Sequence, residues 1–280
     1  MRAGIRRVVG SDRQLHMVLE FKKTLKSTAG RAAEAAGMMA HRCRRSMTIV
    51  TFHRVNDELP EDGLTCGSRK FGEFCQFFLR HFRVVRLAEQ VEGCRQGRDM
   101  GGTLSITFDD GYSDNFTVAA PILKTLGIPA TFFVTTGFIG STVAAEWDDS
   151  LSVPPCWMSW EQVRQLAAQG FDIGSHTHGH INLSTSDPVA IEADLTASRR
   201  TLQRELGAAV HLFAYPFGGL EDISVASREL IQGAGFDCCL SCYGGVNPSD
   251  TDPYHLRRIS IGEWFASPHQ FALEYILGKL

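Results

Sequence analysis

Apolar residues alternate between two periods along most of the chain after residue 46. Stretches with an apolar side chain at every second position predict strands, and stretches with one at every third or fourth position predict amphipathic helices. Strands are predicted at residues 47–53, 103–108, 129–134, 171–175, 212–215, 236–241 and 256–261. Helices are predicted at residues 71–82, 114–126, 159–168, 188–206, 224–234 and 268–277, and the first of these has an aromatic face.

Local signals mark several helix ends. Ser159 stands three residues before Gln162, which predicts a capping box at the start of one helix. Ser113 or Asp114 is expected to cap the helix at 114–126. Gly207 follows the long helix at 188–206 and predicts a left-handed stop.

The alternation of strands and helices predicts an α/β fold with parallel strands. Helices cover such a sheet, and right-handed crossovers place the carboxyl ends of all its strands on one face. Functional residues are expected on that face. The periodicity alone does not decide between a closed barrel and an open sheet.

Charge is distributed unevenly, although the net charge of the chain is only −3. Residues 1–45 contain 11 Lys/Arg and 3 Asp/Glu, whereas residues 46–280 contain 17 Lys/Arg and 28 Asp/Glu. An acidic body makes nucleic acid an unexpected partner. For the basic segment a solvated amphipathic helix is the favoured interpretation, and contact with anionic lipid or an acidic partner is the alternative.

No export or membrane signal is visible. The longest early apolar run, Met17–Leu19, is too short for a secretory signal, so a cytoplasmic protein is predicted, with peripheral contact at the inner membrane face through the basic segment as an option. The uncharged run 125–145 contains Pro129 and three glycines, and it predicts a strand and a loop rather than a membrane span. The eight scattered cysteines are expected to be thiols.

Two adjacent carboxylates, Asp109 and Asp110, follow the predicted strand 103–108, and Gly111 turns the chain behind them. Adjacent carboxylates repel each other, so both stay ionised near neutral pH only if a cation or strong donors compensate them. A bound metal ion is the simplest compensation. A turn in which Asp makes local hydrogen bonds is the alternative, and it holds for most isolated Asp-Asp-Gly strings.

Three histidines, His176, His178 and His180, follow the predicted strand 171–175. His176 and His180 are four residues apart, a spacing that suits binding of one ion by both imidazoles, and His178 would then point elsewhere. Both clusters follow strands that open onto one face. The sequence therefore predicts a site with two histidines, one carboxylate and open positions for water and a substrate oxygen, as hydrolysis requires.

The strings ITFDDGYSDN, SHTHGH and FAYPFGG, in this order, resemble the successive motifs of the polysaccharide deacetylase family (NodB homology, carbohydrate esterase family four). The resemblance covers about residues 47–262. It implies a distorted (β/α) barrel that removes acetyl groups from carbohydrate polymers with one divalent metal ion. The chain is accordingly divided into a basic helical extension at residues 1–45 and a catalytic domain at residues 46–280.

The resemblance also implies roles for individual residues. Asp109, the first acid of the pair, matches the catalytic base. Three residues match metal ligands: Asp110, His176 and His180. The third motif is assigned to substrate binding, with the Phe217 N–H donating to the oxyanion, and comprises Tyr215, Pro216 and Phe217. Zn²⁺ is the expected ion, and Co²⁺, Ni²⁺ or Fe²⁺ also suits such a trio.

Two positions depart from the family pattern. The late Leu-x-His motif that often supplies the acid for the leaving amine is not found; His53, in TFHRV, is similar to the early histidine motif of one branch and is assigned that role, with a structural histidine as the alternative. Its neighbour Arg54 is expected to anchor the loop.

Ala214 stands where many members have an arginine that orients the base. Arg257 or Arg258 could fill that space, and a surface ion pair is the alternative for these two arginines.

No Asp-rich fourth motif is found, so the sequence does not trace the acetyl pocket. Three tryptophans are candidates for stacking on sugar, with core packing as the alternative for each: Trp157, Trp160 and Trp264.

The leading hypothesis is metal-dependent removal of acetyl groups from N-acetylated sugars in an oligo- or polysaccharide, such as a chitooligosaccharide. The alternatives are an amidohydrolase acting on a small non-sugar amide and a non-catalytic sugar-binding homologue. A phosphoesterase is disfavoured because the sequence shows no second carboxylate cluster for a two-ion site. The expected partner is an acetylated carbohydrate, and the sequence fixes no oligomeric state.

Overall fold

Helices and strands alternate through most of the chain. The computed structural model describes residues 6–149, 151, 156–248 and 250–280, so the first five residues of the predicted extension lie outside the described residues. The strands are β1 (Thr48–Phe52), β2 (Arg54–Val55), β3 (Thr65–Cys66), β4 (Arg83–Val84), β5 (Thr103–Phe108), β6 (Ala130–Val134), β7 (Asp172–Ser175) and β8 (Ile259–Ser260). The helices are α1 (Arg6–Ala35), α2 (Met38–Cys43), α3 (Ser68–His81), α4 (Leu87–Arg95), α5 (Ala120–Leu126), α6 (Trp160–Ala168), α7 (Pro188–Leu206), α8 (Val225–Gly233) and α9 (Pro268–Ile276).

Parallel pairing closes the strands into a distorted barrel. β1 pairs with β5, β5 with β6, and β6 with β7, all in parallel. Single parallel bridges continue the ring from Ser175 to Phe213, from Ala214 to Leu240 and from Leu240 to Leu256. β8 follows Leu256 and pairs with β1, which completes the ring. The α/β barrel that the resemblance implies is therefore confirmed.

Some predicted elements differ from the structure. The strands predicted at 212–215 and 236–241 are wrong as full strands, because each contributes only bridge residues to the ring. The helix predicted at 114–126 begins with a π-helical turn, Asn115–Ala119, before α5. Its predicted side-chain cap is wrong as well, since the Asp114 carboxylate accepts a hydrogen bond from Asn56 Nδ2 at 2.7 Å instead. α4 and the short strands β2, β3 and β4 were not predicted, because such short segments show no clear period, whereas β8 lies within the strand predicted at 256–261.

Other helix ends agree with their predicted signals. Ser159 Oγ accepts a hydrogen bond from the Gln162 N–H, and Gln162 Oε1 accepts one from the Ser159 N–H, so the capping box is confirmed. α7 ends at Gly207, which has a φ of 66°. These signals are local in sequence, and the structure preserves them.

An aromatic core holds the strands that lead to the cleft described below. Phe108 of β5 stacks on Phe132 of β6 with ring centroids 4.8 Å apart, and Phe52 of β1 lies 5.7 Å from Phe108. α3 covers this group with a buried aromatic face that includes Phe71 and Phe74, which confirms the aromatic face predicted for it. Close packing of this kind resists displacement of the strands and so fixes the positions of their carboxyl ends.

Helix α1 packs against α9 at a glycine. A Cβ atom built on Gly30 would lie 1.7 Å from the His269 carbonyl oxygen, so the two backbones approach too closely for a side chain. Ser267, which precedes α9, donates a hydrogen bond to Ser27 Oγ at 2.8 Å. The boundary between extension and catalytic domain at residue 45 stays a prediction.

We expect Gly30→Leu to detach α1 from α9 and leave the barrel folded. Leucine favours the helix itself but has no space against the His269 backbone. Limited proteolysis should then cut within residues 6–45 faster than in the wild-type chain and leave a resistant fragment that begins near residue 46. The control Ala29→Leu, at an exposed position of the same helix, should not change the cleavage rate. Unfolding of the whole chain by Gly30→Leu would contradict the predicted boundary.

Candidate active site

A cleft lies where the carboxyl ends of several barrel strands meet, which is where the sequence predicts the chemistry. Its volume is about 490 Å³. The cleft is lined by residues from separate parts of the chain: His53, Gly63, Leu64, Asp109, Asp110, Trp147, His176, His180, Tyr215, Phe217, Cys242, Ser260 and Trp264.

The structure brings together the three residues that the resemblance assigns as metal ligands. Asp110 Oδ1 lies 3.3 Å from His176 Nε2 and 3.3 Å from His180 Nε2. The three potential ligand atoms all lie within 4.8 Å of one another. A tetrahedral ion with bonds of about 2.0–2.1 Å separates its ligand atoms by about 3.3 Å. The spacing therefore fits a single divalent ion.

Surrounding contacts orient the two imidazoles. His176 Nδ1 lies 2.9 Å from the Ala214 carbonyl oxygen, which directs Nε2 toward Asp110, as outer hydrogen bonds of histidine ligands commonly do. The ring of His180 packs against those of Trp147 and Phe217, at centroid distances of 4.4 and 5.0 Å. His178 points elsewhere, as its spacing predicts, and its Nδ1 lies 2.9 Å from Thr136 Oγ1.

Backbone strain is concentrated at the cleft. Among the described residues, the non-glycine residues with positive φ are Asp110 (71°), Thr177 (67°), His180 (53°) and Phe217 (62°). Each such conformation costs on the order of 1–2 kcal/mol. Three of these residues line the cleft, and Thr177 lies between the two histidine ligands in sequence. Strain of this kind persists where the surrounding structure holds it, and it is typical of functional sites.

The two adjacent carboxylates have different partners. Burial by itself would raise the pKa of Asp110, but hydrogen bonds from His176 and His180 hold that pKa well below its usual range. Burial would likewise raise the pKa of Asp109, but the charge of Arg258 holds it below its usual range. Both groups are therefore ionised at neutral pH, and each has its own compensating charge or donors.

Arg258 fills the space for which the sequence offered two candidates. Its Nη1 and Nη2 donate to the two carboxylate oxygens of Asp109 at 2.8 and 2.7 Å. The side chain is completely buried. Arg257 instead lies near the ring of Tyr243, with its guanidinium carbon 5.8 Å from the ring centroid. Of the two candidate arginines, Arg258 is therefore the one that contacts Asp109, in a buried bidentate pair rather than a surface ion pair.

His53 also lies near Asp109, the candidate base. Its Nε2 is 4.0 Å from Asp109 Oδ2, which is longer than a hydrogen bond. Burial lowers the pKa of His53. The carbonyl oxygen of His53 accepts a hydrogen bond from Asn115 Nδ2 at 2.7 Å, which fixes the end of β1. The imidazole lines the cleft without contacting the ligand trio within hydrogen-bond distance.

The third motif presents one side chain to the cleft. The ring of Phe217 is 55% exposed. Tyr215 is buried, and its hydroxyl turns away toward Ser227 and Cys239, at 3.4 and 3.5 Å. Pro216 is buried. A substrate could therefore meet the Tyr215–Pro216 segment through its backbone, and the ring of Phe217 directly.

Of the three candidate tryptophans, Trp264 lines the cleft and is 43% exposed. Trp157 is buried, with its ring stacked 4.6 Å from that of Tyr112, and Trp160 packs against the hydrophobic core. Trp147, which the sequence analysis missed, lines the cleft beside His180. It lies in a three-residue 3₁₀ turn, Glu146–Asp148, which is too short to show a period, so no sequence signal distinguishes it from other aromatic residues.

Comparison with known proteins agrees with this geometry. A family model described as polysaccharide deacetylase matches residues 96–238, just over half of the chain. YxkH of Bacillus subtilis is 26% identical over 156 residues, which cover 56% of this chain and 50% of that protein. The poly-beta-1,6-N-acetyl-D-glucosamine N-deacetylase of Staphylococcus aureus is 25% identical over 190 residues, which cover 65% of this chain and 62% of that protein. The chain thus spans between half and two thirds of the length of these relatives.

Solved structures show the same fold. The structure of IcaB from Ammonifex degensii matches with a TM-score of 0.68 and 24% identity, over 83% of this chain and 97% of that chain. At this level of identity the match establishes the architecture.

We expect Arg258→Met to lower the free energy of unfolding by about 3–5 kcal/mol, because it leaves the Asp109 carboxylate buried without its partner. The double variant Arg258→Met/Asp109→Asn should recover a large part of this loss, since no unpaired charge is then buried. Urea unfolding of the wild type, both single variants and the double variant measures the coupling. Strictly additive losses would show that the two side chains do not depend on each other.

Proposed function

The chain belongs to the polysaccharide deacetylase family, and we propose that it hydrolyses the acetyl amide of N-acetylated sugars in an oligo- or polysaccharide. The observation that carries the proposal is the pair of neighbouring carboxylates with separate partners in one cleft. Asp109 is held by an arginine, and Asp110 stands with two imidazoles at the spacing of metal ligands. Amide hydrolysis needs a base for water and a separate electrophile for the carbonyl: Asp109 can supply the base, and an ion held by Asp110 and the two imidazoles would supply the electrophile.

A divalent ion held by Asp110, His176 and His180 would supply the Lewis acidity that polarises the amide carbonyl. Zn²⁺ is the proposed ion, and Co²⁺, Ni²⁺ or Fe²⁺ also suits two imidazoles and a carboxylate.

The remaining steps are assigned to side chains and backbone of the cleft. Asp109 takes the proton of the attacking water, and Arg258 keeps its carboxylate ionised and oriented. The Phe217 N–H donates to the developing oxyanion. His53, whose Nε2 is 4.0 Å from Asp109 Oδ2, is assigned as the acid for the leaving amine; because burial keeps its imidazole neutral, it first takes up the proton that Asp109 removed from water and then transfers it to the amine.

Aromatic side chains on the cleft support a sugar substrate. Trp147, Phe217 and Trp264 all line it, and such rings stack on the apolar faces of sugars. The named activity of the staphylococcal relative supports N-acetylglucosamine oligomers as the substrate class, with chitooligosaccharides as the β-1,4-linked case. A small non-sugar amide remains the alternative substrate.

We expect Asp109→Asn and Asp110→Asn to fail in different ways. Asp109→Asn should lose about 10²–10⁴-fold in acetate release because it removes the base, while its metal content stays at the wild-type level. Asp110→Asn should lose the bound metal as well as activity, because it removes a ligand. Acetate release from N-acetylglucosamine oligomers and elemental analysis by mass spectrometry provide the two measurements.

Retained turnover by Asp109→Asn would contradict its assignment as the base. Hydrolysis of small cyclic or linear amides, without any acetate release from the N-acetylglucosamine oligomers, would favour the small-amide alternative. If the wild-type protein binds chitooligosaccharide but releases no acetate when zinc, cobalt or nickel is supplied, the non-catalytic alternative holds.

We also infer that the basic extension contacts an anionic membrane surface. Between residues 17 and 25, α1 exposes apolar side chains to between 46% and 69%: Met17, Val18, Leu19, Phe21 and Leu25. Lys22, Lys23 and Lys26 lie among or beside them, whereas the rest of the chain is acidic. Exposed apolar residues with neighbouring lysines are typical of helices that lie in the interface of anionic bilayers.

None of the helices among the described residues has the length and apolar composition that a membrane span requires. The cytoplasmic compartment stays a prediction.

We expect the chain to co-sediment with vesicles of phosphatidylcholine and phosphatidylserine, and Phe21→Ser/Leu25→Ser to lose this binding because it removes apolar surface from the interface. Vesicles of phosphatidylcholine alone should bind less, since they lack negative charge. The control Val189→Ser/Leu220→Ser removes equally exposed apolar side chains elsewhere and should bind normally. A dimer that the α1 substitutions dissociate, without any vesicle binding, would show that a second copy covers this face instead.

A further inference from the structure

Arg54 is buried directly after His53, and its guanidinium contacts two separate segments of the chain. Nε donates to Thr65 Oγ1 at 2.9 Å, and Nη2 donates to the Asp62 carboxylate at 2.9 Å. Nη1 donates to the carboxylate of Asp148. The side chain is 1% exposed, so all three nitrogens depend on these protein acceptors. Arg54 was expected to anchor only its own loop, but its contacts extend to the distant 3₁₀ turn Glu146–Asp148 as well.

The contact of Arg54 with Asp62 fixes one wall of the cleft. Asp62 Oδ1 accepts the backbone N–H of Leu64 at 2.8 Å, and the Asp62 carbonyl accepts the N–H of Glu263 at 2.9 Å. Leu64 lines the cleft, and so does Trp264, which follows Glu263. Arg54 therefore holds, through Asp62, the backbone that carries both of these side chains.

The contact of Arg54 with Asp148 fixes another wall of the cleft. Asp148 Oδ2 accepts a hydrogen bond from the Tyr112 hydroxyl at 2.9 Å. The Tyr112 oxygen in turn accepts one from Trp147 Nε1 at 2.7 Å. The ring of Trp147 lies against that of His180, with centroids 4.4 Å apart. Arg54 thus helps to fix, through Asp148 and Tyr112, the position of the Trp147 indole beside His180, a candidate metal ligand.

We propose that Arg54 is a positioning residue that sets the separation of the Leu64–Trp264 wall and the Trp147 wall, and thereby the binding of sugar between them. The inference rests on the proposed function for its substrate. Arg54 does not line the cleft itself, so its effect passes through Asp62 and Asp148. A planar guanidinium can serve three acceptors in fixed directions, whereas a lysine at this position offers one ammonium group on a flexible stem.

The test compares Arg54→Lys with the wild type on N-acetylglucosamine oligomers. We expect KM to rise about tenfold to a hundredfold, because the walls no longer hold their spacing, while kcat changes little. The zinc content should stay at the wild-type level, since no metal ligand is altered. The matched control is Arg69→Lys, at an arginine whose side chain is 86% exposed and paired with Glu73, and it should leave KM unchanged.

Two further variants each alter one carboxylate partner of Arg54, so they test the two walls independently. They also test the proposal if Arg54→Lys does not fold. Asp148→Asn should increase acrylamide quenching of tryptophan fluorescence, and this increase should vanish in a Trp147→Phe background. Asp62→Asn should give an increase that vanishes in a Trp264→Phe background. Quenching needs no turnover, so it decides the proposal even if the wild-type protein releases no acetate, an outcome that would reject the proposed function alone.

Three results would overturn the proposal. The first is a folded Arg54→Lys variant with wild-type KM and quenching. The second is a lowered melting temperature with KM and kcat unchanged, which would show a purely structural ion pair. The third is a loss of kcat at unchanged KM, which would place the effect of Arg54 on the chemistry, through the adjacent His53.

Discussion

Two adjacent carboxylates are buried at the end of β5, and the need to compensate their charge governs the rest of the site. A buried charge is tolerated only when partners satisfy it, and like charges side by side need separate partners. Arg258 binds Asp109 through both carboxylate oxygens, while His176 and His180 face Asp110. This division makes the neighbours chemically different: Asp109 is kept ionised by a fixed cation, and Asp110 stands with two imidazoles at a spacing that fits a single ion.

Closure of the barrel is what makes this division possible. Asp109 follows β5, whereas Arg258 immediately precedes β8, and both strands pair with β1. The stacked rings of Phe52, Phe108 and Phe132 keep β1, β5 and β6 in register beneath the cleft. A rigid scaffold of this kind can hold the left-handed backbone conformations found at the cleft, which would relax in a flexible loop.

Much of the fold was predictable because its signals are local. The capping box at Ser159, the stop at Gly207 and the buried aromatic face of α3 all follow from residues a few positions apart. The segments around Phe213 and Leu240 have the apolar composition of strands but contribute only bridges. How many ladder hydrogen bonds a segment forms depends on its neighbours in the barrel, and that information is not local.

For the candidate site, the sequence by itself determined which residues stand at strand ends: Asp109, Asp110, His176 and His180. That these residues share one face also follows from the sequence, since parallel strands connected by right-handed crossovers open onto the same face. Only the tertiary structure decided that Arg258, and not its neighbour Arg257, reaches Asp109, and that Trp147 lies against His180. Adjacent residues of an extended segment point to opposite sides, and the three-residue turn that contains Trp147 is too short to show a period, so both contacts depend on how distant segments pack together.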